Sequence, residues 1–225
     1  MKLAILGKGK TGRYVTELLQ DQDQIEYKVF DSKRPATLED LKSFDVCLSF
    51  LTGEVFVSYI DILTESGICV VTGSTGFEFN DFQLANIQSG DAAWIKANNF
   101  SLGMNIVKQM IEVMSLAPKL FDDYKCSIHE IHHTKKLDAP SGTALSWSDW
   151  LDLPNHITSE RTGDVVGTHT LTLETQTEKI SLTHEALDRS IFAKGAIWAV
   201  KKVRTLEPGL HDFSKIALST LLEEK

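Results

Sequence analysis

Apolar residues in the first hundred positions fall into short runs separated by stretches with helical spacing. Leu3, Ala4, Ile5 and Leu6 form one run, after which Tyr14, Val15, Leu18 and Leu19 share a helical face. Further runs at Ile25–Phe30, Val46–Phe50, Ile68–Val71 and Trp94–Ala97 read as strands. Val55, Tyr59, Ile62 and Leu63 have helical spacing, as does the segment Phe82–Ile87. Strands alternating with helices predict a parallel, doubly wound α/β sheet, whose ligands sit beyond the carboxyl ends of the strands.

The pattern then changes. Val107, Met110, Ile111 and Met114 recur at helical spacing between Ser101, a plausible N-cap, and Leu116. Tyr124, Cys126 and Ile128 alternate with Lys125, Ser127 and His129, which is the period of a strand. Ala144, Trp147, Trp150 and Leu151 make an apolar helical stripe. His169, Leu171 and Leu173, then Ile180, Leu182 and His184, alternate on two strands joined through residues 175–179 as a hairpin. His169 and His184 read as packed or surface strand residues rather than catalysts. Phe192, Ala196, Ala199 and Val203 mark another helix, which would return the chain toward the first domain. Helices with an antiparallel sheet predict a smaller α+β domain for substrate binding and oligomerisation over residues 104–203, with 1–103 and about 204–225 forming the first domain.

The loop after the first run is Gly7-Lys8-Gly9-Lys10-Thr11-Gly12, and the second run ends in Asp31. G-x-G-x-x-G alone is weak. Placed between a strand and a helix, with an acidic residue closing the next strand, it describes a Rossmann-like dinucleotide site. Gly7 allows the tight turn, Gly9 lets a pyrophosphate approach the backbone, and Gly12 lets the helix pack on the sheet. Asp31 can accept from a ribose hydroxyl and favour NADH, whereas Lys33 and Arg34 can clamp the extra phosphate of NADPH. With acid and bases within four positions, use of both NADH and NADPH is expected.

A net charge of −8 and the lack of a basic stripe argue against nucleic acid as a partner. Cys47, Cys69 and Cys126 are widely spaced in apolar runs, as expected of buried thiols in a reducing cytoplasm. The chain opens on a strand-like segment and has no long apolar run, so neither a signal peptide nor a membrane span is expected.

The densest chemistry lies in Glu130-Ile131-His132-His133-Thr134-Lys135-Lys136-Leu137-Asp138-Ala139-Pro140-Ser141-Gly142-Thr143-Ala144. Two histidines and two lysines precede a Pro-Ser-Gly-Thr turn that opens a helix, whose free N–H groups suit an anion. His129-Glu130-Ile131-His132-His133 also fits the zinc-protease pattern H-E-x-x-H. That pattern requires a helix, and on a strand positions four apart are separated by roughly 13 Å, so no metal is expected. The residues by themselves describe a nicotinamide-dependent reductase of a small anion. They leave open another dehydrogenase of a small amino or carboxylic acid, or a dinucleotide sensor that does no chemistry.

The same run resembles the signature of the dihydrodipicolinate reductase family, also called 4-hydroxy-tetrahydrodipicolinate reductase. Supporting segments are Gly73-Ser74-Thr75-Gly76-Phe77, Ala97-Asn98-Asn99-Phe100-Ser101-Leu102-Gly103-Met104-Asn105 and Gly163-Asp164-Val165-Val166-Gly167-Thr168-His169-Thr170. The resemblance implies reduction of a cyclic dicarboxylate by NADH or NADPH in lysine and diaminopimelate biosynthesis, by a cytoplasmic homo-oligomer expected to be a tetramer. It implies His132 as proton donor and Lys136 as a second catalytic cation. His133, Ser141, Gly142 and Thr143 would bind substrate; residues 7–12, Gly73, Ser74, Thr75, Ala97, Asn98, Asn99 and Phe100 would line the cofactor. The chain departs from the pattern in a shortened segment before Gly163, in a brief loop after Asp31, and in Leu51-Thr52-Gly53 where a Thr-Arg-Pro-like loop is usual.

Overall fold

The computed structural model describes residues 1–223. Residues 224 and 225, which the expected first domain includes, lie outside the described residues. The chain forms two compact units: Met1–Ser101 with the stretch from Ser190 onward, and Leu102–Arg189.

The first unit is built on strands β1 (Lys2–Leu6), β2 (Glu26–Phe30), β3 (Val46–Ser49), β4 (Cys69–Thr72), β5 (Ala93–Lys96) and β10 (Gly209–Asp212). They form one parallel sheet in the order β2-β1-β3-β4-β5-β10. Strands β1 and β3 are buried almost end to end, as expected of a sheet covered on both faces. The strand order reverses at β1 and β3, which is the switch point where ligands of such sheets bind. The stretch expected to be one helix near Val55–Leu63 is two, Gly53–Val57 and Ile60–Ser66. Strand β10 and the short Leu38–Leu41 helix carried no legible signal.

The chain rejoins this unit at Ser190 rather than near residue 204, because the Ser190–Lys202 helix belongs to it. Ala193, Ala196 and Ala199 on that helix are fully buried. A Cβ on Gly195 would lie 1.7 Å from the Phe100 carbonyl oxygen, so the helix backbone rests directly on the chain at Phe100.

The second unit has β6 (Lys125–His132), β7 (Asn155–Arg161), β8 (Thr168–Glu174) and β9 (Lys179–Glu185) in the order β7-β6-β8-β9. The hairpin β8–β9 is antiparallel as expected. The sheet as a whole is mixed, because β7 runs parallel to β6 after a crossover through the Gly142–Leu151 helix. Strand β7 was illegible because its exposed residues do not alternate cleanly with buried ones. The Leu102–Met114 and Gly142–Leu151 helices cover one face, burying Met104, Val107, Ile111, Ile128, Trp147, Leu151, Leu171 and Leu173. Full burial of each large side chain contributes about 1.5–3 kcal/mol, which anchors β6 and the helix that follows it. No helix among the described residues is long and apolar enough to cross a membrane.

Candidate active site

Alternation along β6 turns Cys126, Ile128, Glu130 and His132 inward. The first two join the apolar core; the next two put a carboxylate and an imidazole on the same buried face. Glu130 is wholly buried. Its Oε1 accepts from Arg161 Nη2 at 2.8 Å and from the Ser141 backbone N–H at 3.1 Å. Its Oε2 stands 2.6 Å from His132 Nδ1. Burial would push the Glu130 carboxyl up, but the hydrogen bonds it accepts, that from Arg161 foremost, outweigh it and hold the pKa at about 2.

Burial lowers the His132 pKa, the Glu130 charge opposes that shift, and Lys136 and Arg161 add to it. A Cβ on Gly167 would come within 2.9 Å of His132 Nε2, so the glycine makes room for that nitrogen. His169 packs edge-on against His132, with ring centroids 5.1 Å apart, and its Nε2 lies 3.1 Å from Ser141 Oγ. Burial lowers its pKa to about 4, with the nearby His132 contributing in the same direction.

Ser141 ties the network to the helix it caps. Its Oγ accepts from the Ala144 N–H, leaving the N–H groups of Gly142 and Thr143 at an open helix start. Nothing lies within 4 Å of a Cβ placed on Gly142. Lys136 is held at 2.8 Å by both carboxylate oxygens of Asp138, whose pKa it lowers. His133 leaves the strand and places Nε2 3.0 Å from Arg189 Nη2. Lys135 is exposed. His132, Ser141, Gly142, Thr143 and Lys136 are thus held by one connected structure. His133 faces Arg189 instead of the buried network.

The H-E-x-x-H residues lie on a strand and just beyond it, with His129 paired to Thr158. Glu130, His132 and His169 do offer three donor atoms within 4.8 Å of one another. Two ligands of one tetrahedral zinc would stand about 3.3 Å apart, given bonds near 2.0–2.1 Å. The 2.6 Å contact between Glu130 and His132 is shorter than that spacing, and Arg161 already supplies the counter-charge.

In the first unit the glycine loop fits a dinucleotide on its backbone geometry. Gly7 has φ +99° and donates to the Phe30 carbonyl at 2.9 Å. A Cβ on Gly12 would sit 2.5 Å from the Gly7 carbonyl oxygen, whereas one on Gly9 would meet nothing within 4 Å. Lys8 and Lys10 are exposed and Thr11 is half-buried. The Lys10–Leu19 helix starts without a side-chain cap, so its first N–H groups remain available to an anion.

Asp31 Oδ1 accepts from the backbone N–H groups of Lys33 and Arg34 at 2.9 and 3.1 Å, folding both bases into a tight turn with exposed side chains. Gly73 has no room for a Cβ between the rings of Phe50 and Phe100. Ser74 spends its hydroxyl on Ser49, 3.1 Å away and buried, while Thr75 is exposed. Ala97 and Phe100 are buried, Phe100 packing against Phe213, so these positions offer backbone rather than side chains. Asn98 is exposed, and Asn99 accepts from the Ser101 N–H at 2.8 Å.

Residues 1–100 match the model of the N-terminal part of dihydrodipicolinate reductase, and residues 103–217 that of its C-terminal part. The chain belongs to the dihydrodipicolinate reductase family. A 4-hydroxy-tetrahydrodipicolinate reductase of Christiangramia forsetii is 32% identical, the match covering 91% of this chain and 92% of that one. One from Thermosipho africanus is 30% identical over 96% of this chain and 97% of its own length. Shortness before Gly163 is therefore no obstacle to membership. Among solved structures, a dipicolinate-bound dihydrodipicolinate reductase from Paenisporosarcina shares the fold with a TM-score of 0.76, at 22% identity over 96% of this chain and 99% of that one. An amine dehydrogenase from Mycobacterium smegmatis shares it at a TM-score of 0.62 with 10% identity, over 95% of each chain.

Glu130, Arg161, Gly167 and His169 complete the site without having been singled out as functional. Glu130 left one trace, a charged residue in register with the apolar face of β6. Arg161 left none, because only the parallel β6–β7 register sets it opposite His132.

Proposed function

We propose that this chain reduces 4-hydroxy-tetrahydrodipicolinate to tetrahydrodipicolinate with NADH or NADPH, in the biosynthesis of lysine and diaminopimelate. The observation that carries the reading is a buried imidazole, His132, held on a carboxylate beside an open helix start in a chain of this family. A bound dinucleotide would supply the hydride. The backbone of residues 7–12, 73–75 and 97–100 would hold it, with Lys8, Lys10 and Thr11 at the pyrophosphate loop and Asp31, Lys33 and Arg34 at the ribose end.

Loss of the 4-hydroxyl as water leaves a conjugated imine, and His132 gives the proton that quenches the charge built up when hydride adds to it. Lys136 offsets a carboxylate charge and assists proton movement. Gly142 and Thr143 bind a carboxylate through their N–H groups, Ser141 fixes that turn, and His133 with Arg189 faces the second carboxylate. The protein's contribution is orientation and charge compensation, while the cofactor carries the redox chemistry.

Supplying the product of dihydrodipicolinate synthase and following loss of reduced-cofactor absorbance tests the reading. Turnover is expected; cofactor binding without turnover would leave a dinucleotide sensor instead. We further propose a cytoplasmic homotetramer, supported by the second unit's sheet, whose edge strand β9 exposes Ile180 beside Lys179 and Ser181. Light scattering that returned a single-chain mass would overturn the assembly.

A further inference from the structure

We infer that Glu130 is the positioning residue of this site: it holds the neutral His132 as the Nδ1–H tautomer and so reserves Nε2 for the transferred proton. The inference rests on His132 being the proton donor, and it adds a residue to which no role has been assigned.

Four observations carry it. Oε2 of Glu130 and Nδ1 of His132 stand 2.6 Å apart as a buried charge pair, and no other group hydrogen-bonds to either atom. An ionised carboxylate can only accept, so the proton between them belongs to Nδ1. The other carboxylate oxygen is occupied by Arg161 and the Ser141 N–H, so Glu130 cannot rotate away without abandoning both. Nε2 then remains the open nitrogen of the ring, with Gly167 beside it in place of any side chain.

A purely structural reading would have Glu130 only neutralise Arg161. That leaves Oε2 unexplained, since burying a carboxylate oxygen without a partner is costly and Arg161 engages only Oε1. The chemistry uses both halves of the arrangement. Imidazolium gives up its Nε2 proton to the substrate carbon or nitrogen and becomes the neutral Nδ1–H form. Its bond to Glu130 is retained throughout, and Nε2 regains a proton from solvent. In the alternative tautomer Nε2–H would belong to a neutral ring, and its loss would leave an imidazolate, which is inaccessible near neutrality. Glu130 therefore supplies both the tautomer and the negative charge that makes the imidazolium attainable in a buried place.

The test is ¹⁵N NMR of the imidazole nitrogens, with the His132 signals assigned by their loss in His132→Gln. Neutral wild-type His132 is expected to carry its proton on Nδ1. In Glu130→Gln the amide N–H₂ turns toward Nδ1 and the proton moves to Nε2. The same variant should lose about 10² to 10⁴-fold in kcat with KM changed only a few-fold, and the pH above which kcat falls should drop by at least about one unit. Finding the wild-type proton on Nε2 would overturn the inference, and that outcome does not depend on the Glu130 variant. So would a Glu130→Gln enzyme that keeps the Nδ1–H tautomer and the wild-type pH profile, whatever its stability. If the wild-type protein shows the tautomer yet fails to turn over, the positioning survives and the proposed activity falls.

Discussion

The glycine loop after β1 and the Glu130–Ser141 site after β6 both lead into helix N-termini, yet they are built in opposite ways. The loop works by omission. Gly7 adopts a φ that side chains rarely adopt, Gly12 leaves no space for a Cβ, and Gly9 leaves a space open. Its recognition groups are backbone N–H donors and a helix dipole, which any residue could supply if it were small enough. The second site works by commitment. A fully buried carboxylate, a guanidinium, two imidazoles and a serine lie within a few ångströms of one another. The first should therefore fail when atoms are added, and the second when charges or donors are removed.

The largest effect tests the second half of that contrast. His132→Gln should lower kcat by about 10² to 10⁴-fold and change KM little, because general acid catalysis acts in the transition state. Steady-state kinetics showing most of kcat retained would remove His132 from the chemistry. Lys136→Ala should lower kcat and also weaken substrate binding if its charge serves both as proposed, and wild-type kcat and KM would leave it a surface lysine paired with Asp138.

Gly12→Ala tests the first half. A Cβ 2.5 Å from a backbone oxygen must push the helix away from the loop, and overpacking of this kind costs about 1–3 kcal/mol. The KM for the dinucleotide should rise by roughly 10-fold or more if that cost falls on binding. Gly9→Ala, with open space around it in the free protein, should leave stability unchanged and still weaken binding. Equal dinucleotide affinity in wild type and both variants would dissolve the comparison.

A smaller effect concerns pH. Burial holds His169 near a pKa of about 4, against 6.5 for the free residue, so the unfolded chain binds a proton that the native chain does not. Stability should then fall as pH drops from about 6.5 toward 4, by on the order of 1–3 kcal/mol. Chemical denaturation across that range, with His169→Gln showing a flatter dependence, checks it. Equal slopes in both proteins would mean that His169 titrates normally.

The smallest expected change is in cofactor choice. The Asp31 turn presents Lys33 and Arg34 together with an unengaged carboxylate oxygen, so both cofactors should serve without a large preference. Lys33→Ala/Arg34→Ala should reduce kcat/KM for NADPH and spare NADH. An unchanged NADPH value would show that the pair does not grip the phosphate.

The difference in construction also explains what could be read in advance. The glycine loop was legible as a string because its elements are consecutive: strand, glycines, helix, strand, acid. The His132–Lys136 run was legible for the same reason, and the alternation through Cys126 and Ile128 placed the residues leading into it on a strand. Arg161 and Gly167 reach the site only through strand pairing across tens of residues, and a residue's neighbours along the chain carry no record of that pairing. His169 was anticipated as a packed strand residue; its contact with His132 follows from the antiparallel register that sets it opposite Glu130.

By itself, then, the sequence determined the alternating architecture, the glycine loop between strand and helix, the His-His-Lys run and the family. Local periodicity and motif spacing are properties of adjacent residues, so they survive without coordinates. Tertiary structure decided that the second sheet is mixed, that the Ser190–Lys202 helix belongs with the first unit, and that Glu130 is shared by His132, Arg161 and Ser141. Each of these depends on which distant segments bury one another, and burial is what turns an ordinary glutamate into a fixed charge.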